Sequence, residues 1–384
     1  MHRNGAVLIE DGIIVAVGPQ KDVEQLVLSR YAGMTDDLDV VDYIHETIVP
    51  GFVDAHAHPL FAGNREPDFS SRLRGEKPAL GMLYTVEQTR DALLDREAFW
   101  TNIVQPRLAL MAKHGTTTLE TKTGYALHAP GEFALLDLAH EHRDDPGLPR
   151  LLPTFLGAHA LPPEFRNEID FIDYLIDQVI PAAVAHGAVY ADAFCEPGFF
   201  SAEQTRRYLL AARAHGLRLR VHCDEMAYGH AAEMACEIGV DAVDHANCIT
   251  EADIAAVVAT KAVTVACPAT IAYLGLSQRA PVRALLDRGG SVAFASDFNP
   301  GTSPCMNLQT VAYFARAEFG VSSPEALYGV TRAAAASMRV DAGVLRVGAP
   351  ADFVVLTIEA PDEFGWQFGG NLATAVYRAG MLVA

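Results

Sequence analysis

The segment Asp54-Ala55-His56-Ala57-His58 places two imidazoles two residues apart, directly after the apolar run Val49-Pro50-Gly51-Phe52-Val53. In an extended strand, side chains at i and i+2 share a face, so His56 and His58 can point at one ion. Two histidines bonded to backbone groups at a strand end would give the same pattern, so the pair alone decides nothing. Further polar residues close later apolar runs: His159, His222, Glu225, His245 and Asp297. If each run is a barrel strand, all of them stand at the C-terminal rim, where such a barrel builds its active site.

Three imidazoles and one carboxylate, from His56, His58, His222 and Asp297, form a borderline ligand set that suits one divalent ion, zinc or iron, with water in the remaining position. An ion brings the pKa of its water toward neutrality, and Asp297 beside it can take the proton and pass it to a leaving nitrogen. His245, across the site from the two-histidine strand, would orient the water or polarise the carbonyl under attack. Glu225, three residues after His222, would face a substrate nitrogen; its alternative is a helix-capping carboxylate favoured by the dipole. Lys122 closes the second run and raises the question of a carbamylated lysine bridging two metals. No second ligand set lies near it in sequence, so one metal is expected, with Lys122 solvated or in a structural ion pair.

The elements that must position these residues alternate from about residue 50 to 340, short apolar runs with amphipathic stretches, as in repeated β-α units. Eight strands are predicted: Ile48–His58, Thr116–Lys122, Leu151–Ala160, Tyr190–Cys195, Leu217–Glu225, Ala242–Ala246, Val263–Pro268 and Val292–Phe298. Helices are predicted over Glu132–His142, Ile169–His186, Ala202–His215 and Glu251–Ala259. Gly187, Gly216, Gly239 and Gly289 supply left-handed stops, and Ser201 with Gln204 reads as a capping box. The fold class is therefore α/β, a (β/α)8 barrel over residues 49–342. Both ends instead carry short alternating β segments, Ala6–Gly18, Val347–Leu356 and Thr374–Val383, which pair into a small β-sandwich domain from residues 1–48 and 343–384. A chain of 384 residues has room for both units.

The formal net charge of -19, with no basic stripe, argues against nucleic acid and anionic membranes as partners. Apolar stretches such as Ile254 to Ala259 fall far short of a membrane span, and the N-terminus shows no signal-peptide pattern. The six cysteines form no C-x-x-C pair and read as free thiols of a soluble, cytoplasmic protein.

The stretches PGFVDAHAHPLFAGNREPDFSSRLRG, HGTTTLETKTGYAL, PTFLGAHALPPEF, FCEPGFFSAEQTRR and SDFNPGTSP resemble those of the imidazolonepropionases, amidohydrolases of histidine degradation, over nearly the whole barrel. The resemblance implies metal ligation by His56, His58, His222 and Asp297. It implies a pocket containing Arg65, Tyr125, His159, Glu225, Asn299, Gly301 and Thr302, and a small carboxylate-bearing substrate, 4-imidazolone-5-propanoate. It also implies a homodimer. Arg65 suits a propionate carboxylate, with an ion pair to Glu66 or Asp68 as its alternative. Three features depart from the family: a shortened LGMLYTVEQTR segment with Glu87 where arginine is usual, a short N-terminus, and the HCDEM context of Glu225. They leave open a relative acting on a hydantoin-like or thio-substituted ring propionate. An aromatic-ring deaminase shares the metal set and the His222/Glu225 spacing, and a non-catalytic barrel would be expected to have lost ligands.

Overall fold

The alternating pattern folds, in a computed structural model that describes residues 2–31 and 38–384, into a barrel flanked by two antiparallel sheets. Strands β1 (Gly5–Glu10) and β2 (Ile13–Pro19) form a hairpin, and β3 is Thr47–Pro50. The barrel strands follow: β4 (Phe52–Asp54), β5 (Thr116–Lys122), β6 (Arg150–Ala158), β7 (Tyr190–Cys195), β8 (Arg218–Cys223), β9 (Ala242–His245), β10 (Val263–Ala266) and β11 (Val292–Phe294). Last come β12 (Phe353–Leu356), β13 (Ala373–Arg378) and β14 (Met381–Leu382). Strands β4 to β11 lie side by side in chain order, all parallel. This is the arrangement that right-handed crossovers through helices impose.

The seam between β11 and β4 closes only at the C-terminal rim. Asp297 N donates to His56 O (2.9 Å), His58 N donates to Phe298 O (2.9 Å), and Ser296 N donates to the Asp54 carboxylate (3.0 Å). Small apolar side chains of these strands, Val53, Ala55, Ala242, Val265 and Ala293, form one buried cluster with Ala333, Ala334 and Ala335 of the helical segment 329–337. Beneath the rim lies a fully buried polar layer of Glu120, Lys122, Asp192, Arg220 and Asp244.

One expected strand is two. The run Ile48–His58 changes sheets at Gly51: Thr47–Pro50 pairs antiparallel with β12, and Phe52–Asp54 pairs parallel with β5. A Cβ on Gly51 would run into the Thr117 side chain, so the close approach of the two strands requires glycine here. The stretch Thr374–Val383 is likewise a hairpin, β13–β14, turning at Ala379-Gly380. Strands β3, β12, β13 and β14 form one sheet, and the β1–β2 hairpin attaches through Ile14 N to Ala349 O and Ala351 N to Gly12 O.

The helix expected over Ile169–His186 is broken into Glu168–Tyr174, a π-helical turn Leu175–Val179, and Ile180–Ala183. Pro181 follows this wide turn as Pro106 follows the π-helical turn Trp100–Val104, because proline cannot donate the bond that a tight helix needs. The Ser201–Gln204 capping box forms, and Gly187, Gly216, Gly239 and Gly289 all have positive φ. All six cysteines are free, and no helix of the described residues is long and apolar enough to cross a membrane.

Replacing Gly51 by Ala should destabilise the protein by about 1–3 kcal/mol through overpacking. Adding Thr117→Ala should return part of that loss, because the two changes share one contact. Urea denaturation of the single and double variants measures both; an unshifted midpoint for Gly51→Ala would contradict the packing.

Candidate active site

The residues that close the seam also converge inside it. His56 Nε2 lies 3.3 Å from His58 Nε2, and Asp297 Oδ1 lies 3.4 Å from each. Ligand atoms ~2.1 Å from a tetrahedral ion are about 3.4 Å apart, so these three donors already have the spacing of three vertices around one centre. His222, at the end of β8, and His245, at the end of β9, bring their rings to 4.5 and 5.0 Å from that of His56. Two further groups overlap with the first, one of His56, His222 and His245 and one of Glu225, His245 and Asp297. All of these side chains are buried, and neither ring nitrogen of His245 nor Nδ1 of His58 has a partner. Converging lone pairs in a buried, polar-lined space fit a bound cation.

The backbone is bent to aim these groups. Asp224, His245, Ala246 and Asp297 all have positive φ, at 46°, 66°, 55° and 48°, a conformation L-residues rarely adopt. Four such residues at one rim mark a site where the surrounding structure holds strain.

Burial sets the protonation states. It pushes His58 down to about 3 and His245 well below the usual histidine range, leaving both neutral. Burial likewise raises Glu225 well above the carboxylate range, helped by the nearby charges of Asp297 and Glu196. Asp297 is held well below that range, because hydrogen bonds to His56 and His58 and the nearby imidazoles outweigh its burial. Its Oδ2 accepts the Thr270 hydroxyl at 2.7 Å, leaving Oδ1 to face the histidines.

Beneath the rim, His56 Nδ1 donates to Asp244 Oδ2 at 2.7 Å, and Asp192 Oδ2 lies 3.0 Å from His222 Nδ1. Lys122 is in a structural ion pair: Nζ donates to Asp192 (2.5 Å) and Glu120 (2.8 Å) and lies 3.4 Å from Asp244. Arg220 forks onto both oxygens of Asp244, at 3.0 and 2.9 Å. Burial and Arg220 press the Lys122 ammonium to lose its proton, but Asp192, Glu120 and Asp244 raise it overall. A protonated amine so enclosed is not available for carbamylation. Sequence reasoning missed Asp192, Asp244, Glu120, Arg220 and Thr270; only Asp244, directly before His245, and the alternation Glu120-Thr121-Lys122 gave a signal.

At the mouth, Arg65 is mostly buried, and its Nε donates to Asp68 at 2.7 Å. Asp68 also accepts Leu80 N and Gly81 N, so it ties Arg65 to the shortened segment. The remaining guanidinium nitrogens lie on Gly301, where any Cβ would collide with them. Asn299 is occupied within its own turn: Oδ1 accepts Gly301 N and Thr302 N, and Nδ2 donates to Thr302 Oγ1 and Asp297 O. The Thr302 hydroxyl, having accepted that bond, keeps its proton for another acceptor. Tyr125 and His159 line the wall beside His58, with ring centres 6.1 and 5.4 Å from it. Glu87 is exposed on the helix Met82–Ala92, away from these groups, whereas Leu80, Gly81, Met82 and Leu83 border an apolar cavity of about 490 Å³ with Leu161 and Phe199.

Residues 71–367 match the Amidohydrolase family. An imidazolonepropionase of Solibacter usitatus is 35% identical over 99% of this chain and 91% of its own length. Another, of Haloarcula marismortui, is 36% identical over 100% of this chain and 90% of its own. Among solved structures, the guanine deaminase of E. coli superposes with a TM-score of 0.72 at 19% identity, covering 99% of this chain and 92% of the deaminase. An adenosine deaminase from Xanthomonas campestris with bound zinc gives 0.67 at 19% identity, covering 99% and 88%. These two likenesses concern the fold.

His222→Ala and Asp297→Ala should each leave the purified protein with well under one equivalent of metal, measured by elemental analysis. A full complement in either variant would remove that residue from the ligand set.

Proposed function

Because the chain belongs to the amidohydrolase family, and within it to the imidazolonepropionases, we propose that it opens the ring of 4-imidazolone-5-propanoate at its amide C–N bond, giving N-formimidoyl-L-glutamate. In this reading His56, His58, His222 and Asp297 hold one divalent ion, zinc or iron. When bound, that ion supplies Lewis acidity and an acidified water. A cytoplasmic location and a homodimer belong to the same reading through the family.

The observation that carries the substrate is the Arg65 guanidinium packed on Gly301, in the turn that also presents the Thr302 hydroxyl, beside the histidine cluster. Two guanidinium nitrogens and one hydroxyl proton are left for a carboxylate there, and a bare nucleobase has no group to use them. The ring then reaches inward past Tyr125 and His159. Asp297, ionised, accepts a proton from the attacking water. Neutral His245 donates one hydrogen bond to the carbonyl oxygen as it gains charge. Glu225, kept protonated by burial, donates to a ring nitrogen and so fixes how the ring carbonyl carbon is turned to the attacking water. Asp297 finally returns its proton to the departing nitrogen.

Assay of the imidazolone propionate should show ring opening to a formimidoyl product without ammonia, and faster than any opening of hydantoin propionate. Ammonia release from an aromatic base, or a preference for the hydantoin, would replace this reading. Glu225→Gln should keep its metal and lower kcat by roughly 10²–10⁴; loss of the metal would make Glu225 a ligand instead.

Arg65→Met should raise KM by roughly ten- to a hundredfold, the worth of a shielded charge-assisted pair, with the metal retained. Gly301→Ala should act in the same direction, because its methyl displaces the guanidinium. If the wild type handles the uncharged propionamide as well as the acid, Arg65 does not read a carboxylate.

A further inference from the structure

Lys122 takes no part in the chemistry described above, yet it is completely buried in the barrel interior, one layer below the histidines. Its Nζ touches three carboxylates, and two of these turn their Oδ2 atoms to histidines: Asp192 to His222 Nδ1 and Asp244 to His56 Nδ1. A lysine costs several kcal/mol to bury even when paired, a cost that a well-packed apolar side chain of similar volume would avoid. The layer holds two cations, Lys122 and Arg220, against three carboxylates, Glu120, Asp192 and Asp244. Arg220 grips Asp244 and Glu120, but among the described residues only Lys122 bridges Asp192 to the rest of the layer.

We propose that Lys122 is a positioning residue: its ammonium clamps Asp192 and Asp244 so that His222 and His56 present their Nε2 atoms to one ion in a fixed tautomer and direction. The proposal rests on the reading of His56 and His222 as metal ligands. A ligating imidazole needs its other N–H held by an acceptor. Backbone N–H groups of Ala193 and His222 hold Asp192 Oδ1, while Lys122 bonds Oδ2, the oxygen that faces the His222 ring. Strand register supports the assignment. Glu120 and Lys122 alternate on the inward face of β5, His222 pairs across β8 and β9 with Asp244, and Cys223 pairs with His245, so the clamp spans the strands that carry the ligands.

The test is zinc affinity of the demetallated full-length chain, read by competition with a chromophoric chelator, for Lys122→Met, Asp192→Asn and the double variant. Thermal unfolding of each apoprotein is followed in parallel. Lys122→Met should weaken zinc binding roughly ten- to a hundredfold in folded protein, the usual effect of losing an outer-shell partner. The double variant should lose clearly less than the sum of the two single losses, since the lysine acts in part through that carboxylate. Affinity within about twofold of wild type in Lys122→Met, or additive losses in the double variant, would overturn the proposal. Lys122→Gln, which keeps a donor without the charge, covers the case in which the methionine variant does not fold. If neither folds, Lys122 holds the barrel rather than the histidines, and the proposal is likewise overturned. Asp297→Ala measured alongside separates the two layers: unchanged zinc affinity there would mean that the ligand reading itself has failed.

Discussion

Closing the barrel and assembling the site are one event. The three hydrogen bonds that join the segment after β11 to the segment after β4 run through Asp54, His56, His58 and the stretch Ser296–Phe298. The backbone groups of His56 and Asp297 that complete the seam therefore fix where their side chains go. A Ser296–Phe298 segment displaced by even one residue would move Asp297 off the histidines and open the sheet together.

That constraint has an electrostatic cost, which the layer beneath absorbs. Imidazole lone pairs and a carboxylate oxygen meeting at 3.3–3.4 Å repel one another in a medium that screens poorly. A cation held among the donors would offset this repulsion, and below them runs a ladder of alternating charge, from Asp244 and Asp192 to Lys122 and Arg220. Loops above are held by the same device in milder form. Glu196 accepts the backbone N–H of Glu225, Met226 and Ala227, and Glu132 accepts those of Gly124, Ala126 and Leu127 on either side of Tyr125. Glu225 and Tyr125 thus both sit in backbone segments stapled by a buried carboxylate.

Much of the barrel was legible in the sequence, because apolar runs, glycine stops and the Ser201–Gln204 cap obey local rules, and because polar residues at the ends of six of the eight runs mark the rim. The DAHAH segment was legible for the same reason. Other features depend on contacts distant in sequence. The run Ile48–His58 carries no local sign that it serves two sheets; the change at Gly51 follows from Thr117 standing where a side chain would be. The interior charges of β5 and β8 read as surface residues by type, and only their register with Asp192 and Asp244 makes them an inner layer. Asn299 looked like a substrate donor, but its amide is fully engaged in shaping the turn that presents Thr302 and Gly301. The departure at Glu87, prominent in sequence, lies on an exposed helix face.

The claim that one ion and one carboxylate-reading arginine share this mouth is tested most directly by anomalous diffraction from crystals of the metal-loaded protein with a non-hydrolysable ring propionate bound. The account predicts a single anomalous peak ~2.1 Å from nitrogens of His56, His58 and His222 and an oxygen of Asp297, with the propionate on Arg65 and Thr302. A second peak ~3.5–4 Å away, or a propionate turned from Arg65, would contradict it.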